Sequence, residues 1–145
     1  MKILIFGLPG SGKTTLAKEL AYHFNIPHYN ADTIREYVND WDFTKAGRRR
    51  QVNRFKSFDM GILDFVCPID IYRDEINPDI SIWMDTLQKS KYDDTNQMFE
   101  PATNYTFRIR KWIGQNQLLN SLEDFNPGIK GIQSYLKGPF KKLVK

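Results

Sequence analysis

The sequence predicts a single three-layer α/β domain with a mainly parallel sheet at its centre. Apolar runs of strand length alternate along the chain with segments in which apolar residues recur at helical spacing. The first run, residues 2–6, is apolar apart from its lysine, which is typical of a strand buried on both faces of a parallel sheet. A chain of 145 residues, 41% of them hydrophobic, is long enough to bury one core of its own.

The first half of the chain predicts two strands and three helices. The strand at 2–6 precedes a helix over 13–24, in which Leu16, Ala17 and Leu20 lie at helical spacing. The second strand covers 26–30, and Asn30 is placed to cap the helix that follows. Thr44 is placed in the same way before a third helix. The predicted ranges of these two helices are 31–38 and 45–60.

The second half predicts three more strands and a long loop. Pro68 ends an apolar strand, and a short helix follows it. The stretch 87–104 is polar, without a periodic apolar pattern, and is expected to be a loop. The predicted strands are 61–66, 80–86 and 105–109, and the predicted helices are 70–75 and 114–123.

The positive charge is concentrated in two segments. The net charge is +4. From Asn126 onward the chain has no acidic residue, so we predict a domain over 1–125 and a basic tail over 126–145. The second segment, Lys45 to Lys56, also lacks acidic residues. It is either a solvated helix face or, as we favour, an anion site, because like charges repel unless something neutralises them. The tail lysines are Lys130, Lys137, Lys141, Lys142 and Lys145.

The composition excludes several classes of protein. A single cysteine, Cys67, rules out an internal disulfide framework and suits a reducing compartment. No apolar run approaches the roughly 18 residues of a membrane span. The N-terminus enters a strand directly, which argues against a secretory signal. We therefore expect a cytoplasmic domain without a membrane partner, and the sequence predicts no oligomeric state.

Residues 7–15, GLPGSGKTT, match the phosphate-binding pattern G-x-x-x-x-G-K-[ST]. Such a loop wraps a polyphosphate with its backbone N–H groups, and the following helix presents its positive end. Lys13 is expected to reach the β- and γ-phosphates and to act in catalysis, and Thr14 to offer its hydroxyl to Mg²⁺. The predicted cofactors are ATP and Mg²⁺. The predicted nucleotide-binding residues are Gly7, Gly10, Ser11, Gly12, Lys13, Thr14 and Thr15.

The segment NADTIRE, residues 30–36, suggests an acceptor site. Asp32 follows the second strand, at the edge where ligands of open α/β sheets bind. A carboxylate there can take the proton of an attacking hydroxyl, and Arg35 lies on nearly the same helix face, where it can hold an anion. The alternative is an acidic helix start with an ordinary surface arginine. Asp64 has two readings as well, a residue that orients Mg²⁺ through water or an acid at the polar edge of a strand.

Together these motifs resemble the adenylylsulfate kinases, which transfer phosphate from Mg·ATP to the 3′-hydroxyl of adenylyl sulfate in sulfate assimilation. The resemblance covers roughly residues 1–108. Its motifs are the loop, the Asp–x–x–Arg of residues 32–35, the segment DFTKAGR of 42–48, and the Phe–x–x–Pro of 65–68. It implies a small anionic acceptor, with adenylyl sulfate favoured. It also implies substrate contacts by Arg35, Phe43, Arg48, Gln51, Arg54 and Phe65.

The sequence also departs from that family. The Asp–Arg pair that opens the basic helix reads Gly47-Arg48, and the Asn–x–Arg–Arg motif reads QVNR at 51–54. The lid is compressed to 87–98. Two other functions therefore stay open. One is a polynucleotide 5′-hydroxyl kinase, whose nucleic-acid substrate would suit the basic segments, and the other is a non-catalytic nucleotide-binding protein.

Overall fold

Five parallel strands form one sheet in the computed structural model, which describes residues 1–111. The strand order is β2-β3-β1-β4-β5, so the apolar first strand lies at the centre, as predicted. Each pair of neighbouring strands is parallel. The strands are β1 Lys2–Phe6, β2 His28–Asn30, β3 Gly61–Asp64, β4 Ile80–Met84 and β5 Phe107–Ile109.

The described helices connect these strands. Asn30 caps α2, since its side-chain oxygen accepts hydrogen bonds from the backbone N–H groups of Asp32 and Thr33. Thr44 caps α3 through the N–H of Gly47. Both caps agree with the prediction. The helices are α1 Lys13–Phe24, α2 Ala31–Val38, α3 Lys45–Lys56, α4 Asp70–Ile76 and α5 Asp93–Met98.

Helices cover both faces of the sheet, which makes three layers. Successive side chains of a strand point to opposite faces. Ile3 and Ile5 of β1 therefore pack with α1 in one apolar cluster, while Leu4 and Phe6 pack with α3 and α4 in the other. Cys67 is fully buried in this second cluster. The predicted fold class, an α/β domain in three layers with a parallel sheet, is confirmed.

Several predicted boundaries differ from the structure. The predicted strands 26–30, 61–66, 80–86 and 105–109 are each two residues shorter in the structure. The third helix ends at Lys56 rather than at residue 60, because the chain must turn before β3 begins at Gly61, whose φ is +117°.

The predicted loop 87–104 contains the helix α5, so that prediction was wrong. Its sequence, DDTNQM, has no apolar stripe. Hydrogen bonds instead connect Ser90, which precedes α5, to Asn96 within it. The Ser90 N–H and hydroxyl donate to Asn96 Oδ1 at 2.8 and 2.7 Å. Thr95 is buried against Arg48 of α3, with 3.0 Å between the Thr95 hydroxyl and Nη2. The contact between Thr95 and Arg48, 47 residues apart, leaves no local pattern in the sequence.

The predicted helix over 114–123, the boundary near Asn126 and the tail 126–145 lie outside the described residues. Within residues 1–111, no helix is both long enough and apolar enough to cross a lipid bilayer.

Candidate active site

The loop between β1 and α1 has the backbone that a phosphate cradle requires. Gly7 has φ +154°, and a Cβ placed on it would lie 2.5 Å from the carbonyl oxygen of Met84, so a larger residue does not fit there. Gly10 and Gly12 have φ of +83° and +100°, values that glycine adopts without strain. Gly12 precedes α1 without any side-chain cap. The N–H groups at the start of α1 are therefore available to an anion.

A residue that follows β4 holds the phosphate loop in place. The hydroxyl of Thr86 donates to the carbonyl oxygen of Ser11 at 2.8 Å. Ser11 is itself buried, and its Oγ has no hydrogen-bond partner within residues 1–111. Thr15 is half-buried at the start of α1. A buried polar group usually has a partner, so the orphaned hydroxyl inside the cradle is consistent with a polar ligand there.

Lys13 is buried within its own loop. Its Nζ donates to the carbonyl oxygen of Leu8 at 3.0 Å, and its side chain is only slightly exposed. Burial lowers the pKa of Lys13 to about 8, and the negative charges of Asp64 and Asp32 only partly oppose this shift. The two carboxylates therefore do not fully compensate the buried positive charge, and a bound phosphate would supply the remaining negative charge.

Asp64, at the carboxyl end of β3, is the centre of a buried polar cluster. Its Oδ2 accepts hydrogen bonds from the Thr14 hydroxyl at 2.8 Å, from Asn30 Nδ2 at 2.9 Å and from His28 Nε2 at 3.0 Å. Burial raises the pKa of this carboxyl, but the three hydrogen bonds and the charge of Lys13 together lower it below its ordinary value. Asp64 is therefore ionised.

Sequence reasoning missed the part that His28 and Asn30 play here. Asn30 was predicted only as a helix cap, and no role was predicted for His28. The parallel register places Asn30 directly opposite Asp64 on the neighbouring strand. The signal available in the sequence was that Asn30 ends its predicted strand, because in a parallel sheet the ends of neighbouring strands meet at one edge.

Thr14 and Asp64 have the chemistry to hold Mg²⁺. The ion prefers hard oxygen ligands, keeps several of its waters and is usually bound through few protein groups together with substrate phosphates. A hydroxyl at the start of α1 beside an ionised carboxylate matches that preference. The proposal that Thr14 is the metal ligand therefore extends to Asp64 as its partner.

The predicted acceptor residues meet around one small cavity of about 70 Å³, on the α3 side of the sheet. Arg54 is the exception. Its guanidinium donates to Gln51 Oε1 at 2.7 Å and pairs with the Asp40 carboxylate, which directs it away from this cavity. The predicted residues that do line the cavity are Asp32, Arg35, Phe43, Arg48, Gln51 and Phe65.

Asp32 lies between this cavity and the phosphate loop. It also lines a second, open cavity of about 410 Å³, to which Thr14 contributes. The carboxylate of Asp32 is exposed and accepts no hydrogen bond within the described part of the chain. It is therefore free to accept a hydrogen bond from a ligand that reaches from one cavity to the other.

Two arginines lie over the ring of Phe43 in the acceptor cavity. The guanidinium carbons of Arg35 and Arg48 lie 4.4 and 5.5 Å from the ring centroid. Arg35 Nη1 also donates to the carbonyl oxygens of Asp40 and Asp42, at 3.0 and 3.1 Å. Both arginines are almost completely buried. Burial lowers the pKa of Arg35, and an anion in the cavity would offset the cost of its buried charge.

Five of the six basic residues of the segment 45–56 pair with acidic residues of the chain, so their charges do not by themselves require an external anion, and the anion site stays a prediction. Acidic residues from other elements supply the opposite charges. Arg49 forms a two-pronged pair with Glu75 at 2.5 and 2.8 Å. The partners all lie outside the segment, Asp40 and Asp42 just before it and Glu75 and Asp94 far along the chain. The other pairs are Arg48–Asp94, Arg50–Asp40, Arg50–Asp42, Arg54–Asp40 and Lys56–Glu75.

The sheet order and the glycine-rich loop before α1 define a protein with the fold of the P-loop kinases. Residues 2–67, which include the loop, Asp32 and Asp64, match the family described as an AAA domain. That match covers less than half of the chain.

Two solved structures share the fold. The APS kinase CysC of Mycobacterium tuberculosis, solved with AMPPNP and APS, aligns with a TM-score of 0.61 at 17% identity, over 84% of this chain and 97% of that one. A gluconokinase from Sinorhizobium meliloti 1021 gives a TM-score of 0.61 at 13% identity, over 94% of this chain and 97% of that one.

A curated relative matches over a short segment. An adenylate kinase of Methanococcoides burtonii is 47% identical over 49 residues, which is 33% of this chain. This chain therefore spans about a fifth of the length of that relative, since the match covers 22% of it.

Proposed function

We propose that this protein is a kinase that transfers the γ-phosphate of Mg·ATP to a hydroxyl group of a small anionic acceptor. The position of Asp32 carries the proposal, because it lines both the cavity beside Thr14 and the cavity that contains two buried arginines. A phosphate donor bound at the loop and an acceptor bound among the arginines would meet at this carboxylate.

Each residue then has a role that follows from its chemistry. The loop and Lys13 bind the phosphates and balance the charge that develops on their oxygens during transfer. Thr14 and Asp64 would hold Mg²⁺, which when bound screens the phosphate charge. Asp32 orients the acceptor hydroxyl and takes its proton, and Arg35 and Arg48 hold the anionic part of the acceptor.

Adenylyl sulfate is the acceptor that we favour. The motif resemblance supports it, and the fold, which an APS kinase solved with APS and a gluconokinase both share, is compatible with it. The cavity is small, since sites for ligands of this size usually measure roughly 300 Å³ or more. Phe43, which is 45% exposed, forms part of the wall, and adenylyl sulfate therefore requires this wall to move outward.

The test is phosphoryl transfer from γ-labelled ATP to four acceptors, measured in parallel with ATP binding. The acceptors are adenylyl sulfate, AMP, gluconate and a 5′-hydroxyl oligonucleotide. We expect adenylyl sulfate to be phosphorylated, with little transfer in the Asp32→Asn variant. Transfer to AMP or gluconate alone would keep the kinase and reject the favoured acceptor, and transfer to the oligonucleotide alone would support a polynucleotide kinase. ATP binding without any transfer would support the non-catalytic alternative.

A further inference from the structure

The side chain of Asn30, in the wall of the larger cavity, forms hydrogen bonds with both of its ends. Its Oδ1 accepts the backbone N–H groups of Asp32 and Thr33 at 3.0 and 3.1 Å, which starts α2. Its Nδ2 donates to Asp64 Oδ2 at 2.9 Å and to the Thr14 hydroxyl at 3.2 Å. A single amide therefore joins the helix that carries Asp32 to the pair that would hold Mg²⁺.

The hydrogen bonds also fix the direction of the Thr14 hydroxyl. Ionised Asp64 can only accept, so the Thr14 proton points toward it, and one lone pair of the hydroxyl accepts from Asn30. The second lone pair is left for a metal ion. His28 is the third donor to Asp64 Oδ2, and no hydrogen bond within residues 1–111 reaches the other oxygen, Oδ1.

We propose that Asn30 is a positioning residue that holds the Thr14–Asp64 pair in the geometry for a divalent cation and holds Asp32 at a fixed distance from it. This inference rests on the proposed function, which gives Asp32 and the cation their roles. Only an amide suits this position, because the site requires an acceptor at one end and a donor at the other, and a carboxylate has no N–H to donate. Partners that orient metal ligands typically affect metal affinity by 10–100-fold.

Two substitutions separate the two ends of the side chain. Asn30→Ser keeps a good helix cap but is too short to reach Thr14 and Asp64. Asn30→Ala loses both ends. The effect of losing the Nδ2 hydrogen bonds is measured as the affinity of the AMPPNP complex for Mn²⁺, a paramagnetic substitute for Mg²⁺, by electron paramagnetic resonance. The effect of losing the helix cap is measured as hydrogen-exchange protection of the Asp32 and Thr33 amides. The affinity for AMPPNP without metal shows whether the phosphate loop is intact.

We expect both variants to bind Mn²⁺ about tenfold or more weakly than the wild type, with metal-free AMPPNP affinity unchanged. Only Asn30→Ala should lose protection at the two amides. Wild-type Mn²⁺ affinity in Asn30→Ser would overturn the inference and leave Asn30 as a helix cap. An AMPPNP complex of the wild type that binds no Mn²⁺ would overturn it too. A wild type that binds Mn²⁺ and AMPPNP but phosphorylates no acceptor would reject the proposed function alone.

Discussion

The ammonium group of Lys13 donates a hydrogen bond to the carbonyl oxygen of Leu8, five residues earlier in the same loop, at 3.0 Å. An ammonium group has three N–H bonds, and this is the one hydrogen bond that residues 1–111 provide for it. The lysine is thus fixed in the loop while most of its hydrogen-bonding capacity is left for the phosphates of a nucleotide.

Lys13→Ala should abolish phosphoryl transfer and leave the fold intact. The variant removes the positive charge that would balance the β- and γ-phosphate oxygens during transfer, whereas Lys13 belongs to neither of the two apolar clusters. Turnover and the circular dichroism spectrum are the measurements, with Lys45→Ala, an exposed lysine on α3, as the matched control. Wild-type turnover in Lys13→Ala would mean that the loop is only a structural turn.

The buried position of Lys13 predicts a pH dependence of stability. The pKa is about 8 in the folded protein, against 10.5 for an ordinary lysine, so the unfolded chain holds more protons between these values. The contribution of Lys13 to the free energy of unfolding therefore rises with pH across this window, by about 3 kcal/mol in total. Urea unfolding of the wild type and of Lys13→Met across the window measures it. Curves for the two proteins that stay parallel would contradict the prediction.

Asp32→Asn should lower turnover by about 10²-fold or more and leave ATP affinity nearly unchanged. Asparagine keeps the size of the side chain but cannot take the proton of the acceptor hydroxyl. Steady-state kinetics and ATP titration test this. Asp59→Asn, an exposed aspartate outside both cavities, should behave as the wild type. Equal turnover of the two variants would show that Asp32 takes no part in the reaction.

Arg48→Ala should raise the Michaelis constant for the acceptor by about tenfold or more, and that for ATP by much less. The guanidinium lines the acceptor cavity and also donates to the Phe43 carbonyl oxygen at 2.9 Å. Its removal therefore takes away a positive charge and loosens the wall. Arg49→Ala is the matched control, since Arg49 is the next residue on α3, pairs with Glu75 and does not line the cavity. The same Michaelis constants in both variants would argue against an acceptor contact.

Gly47→Ala should destabilise the protein by about 1–3 kcal/mol and weaken acceptor binding. A Cβ on Gly47 would lie 2.0 Å from the carbonyl oxygen of Asp42, so the segment that carries Phe43 must move. Ala46→Gly is the control, since it lowers helix propensity at an exposed position by up to about 1 kcal/mol without touching that segment. Denaturant unfolding and the acceptor Michaelis constant measure both effects. If Ala46→Gly also raises the Michaelis constant for the acceptor, the effect comes from a general loosening of α3 and not from the contact between Gly47 and Asp42.

The sequence predicted the phosphate loop and the two capped helices correctly because their causes are local. The glycines of residues 7–12 allow positive φ, and the oxygens of Asn30 and Thr44 reach N–H groups within three residues. It also predicted that Asp32, Arg35 and Phe43 serve one site, and the structure brings them to the same cavity. The role of these residues in binding an acceptor stays a prediction.

By itself, then, the sequence determined the class of fold and the position of its anion-binding loop, because glycine spacing and apolar alternation act between near neighbours in the chain. Only the tertiary structure decided which distant polar groups meet. The parallel register places Asn30 beside Asp64, 34 residues away, and the packing of α4 supplies Glu75 to Arg49. These contacts depend on how strands and helices pack, and the charges of a single segment therefore could not reveal that its arginines are already paired.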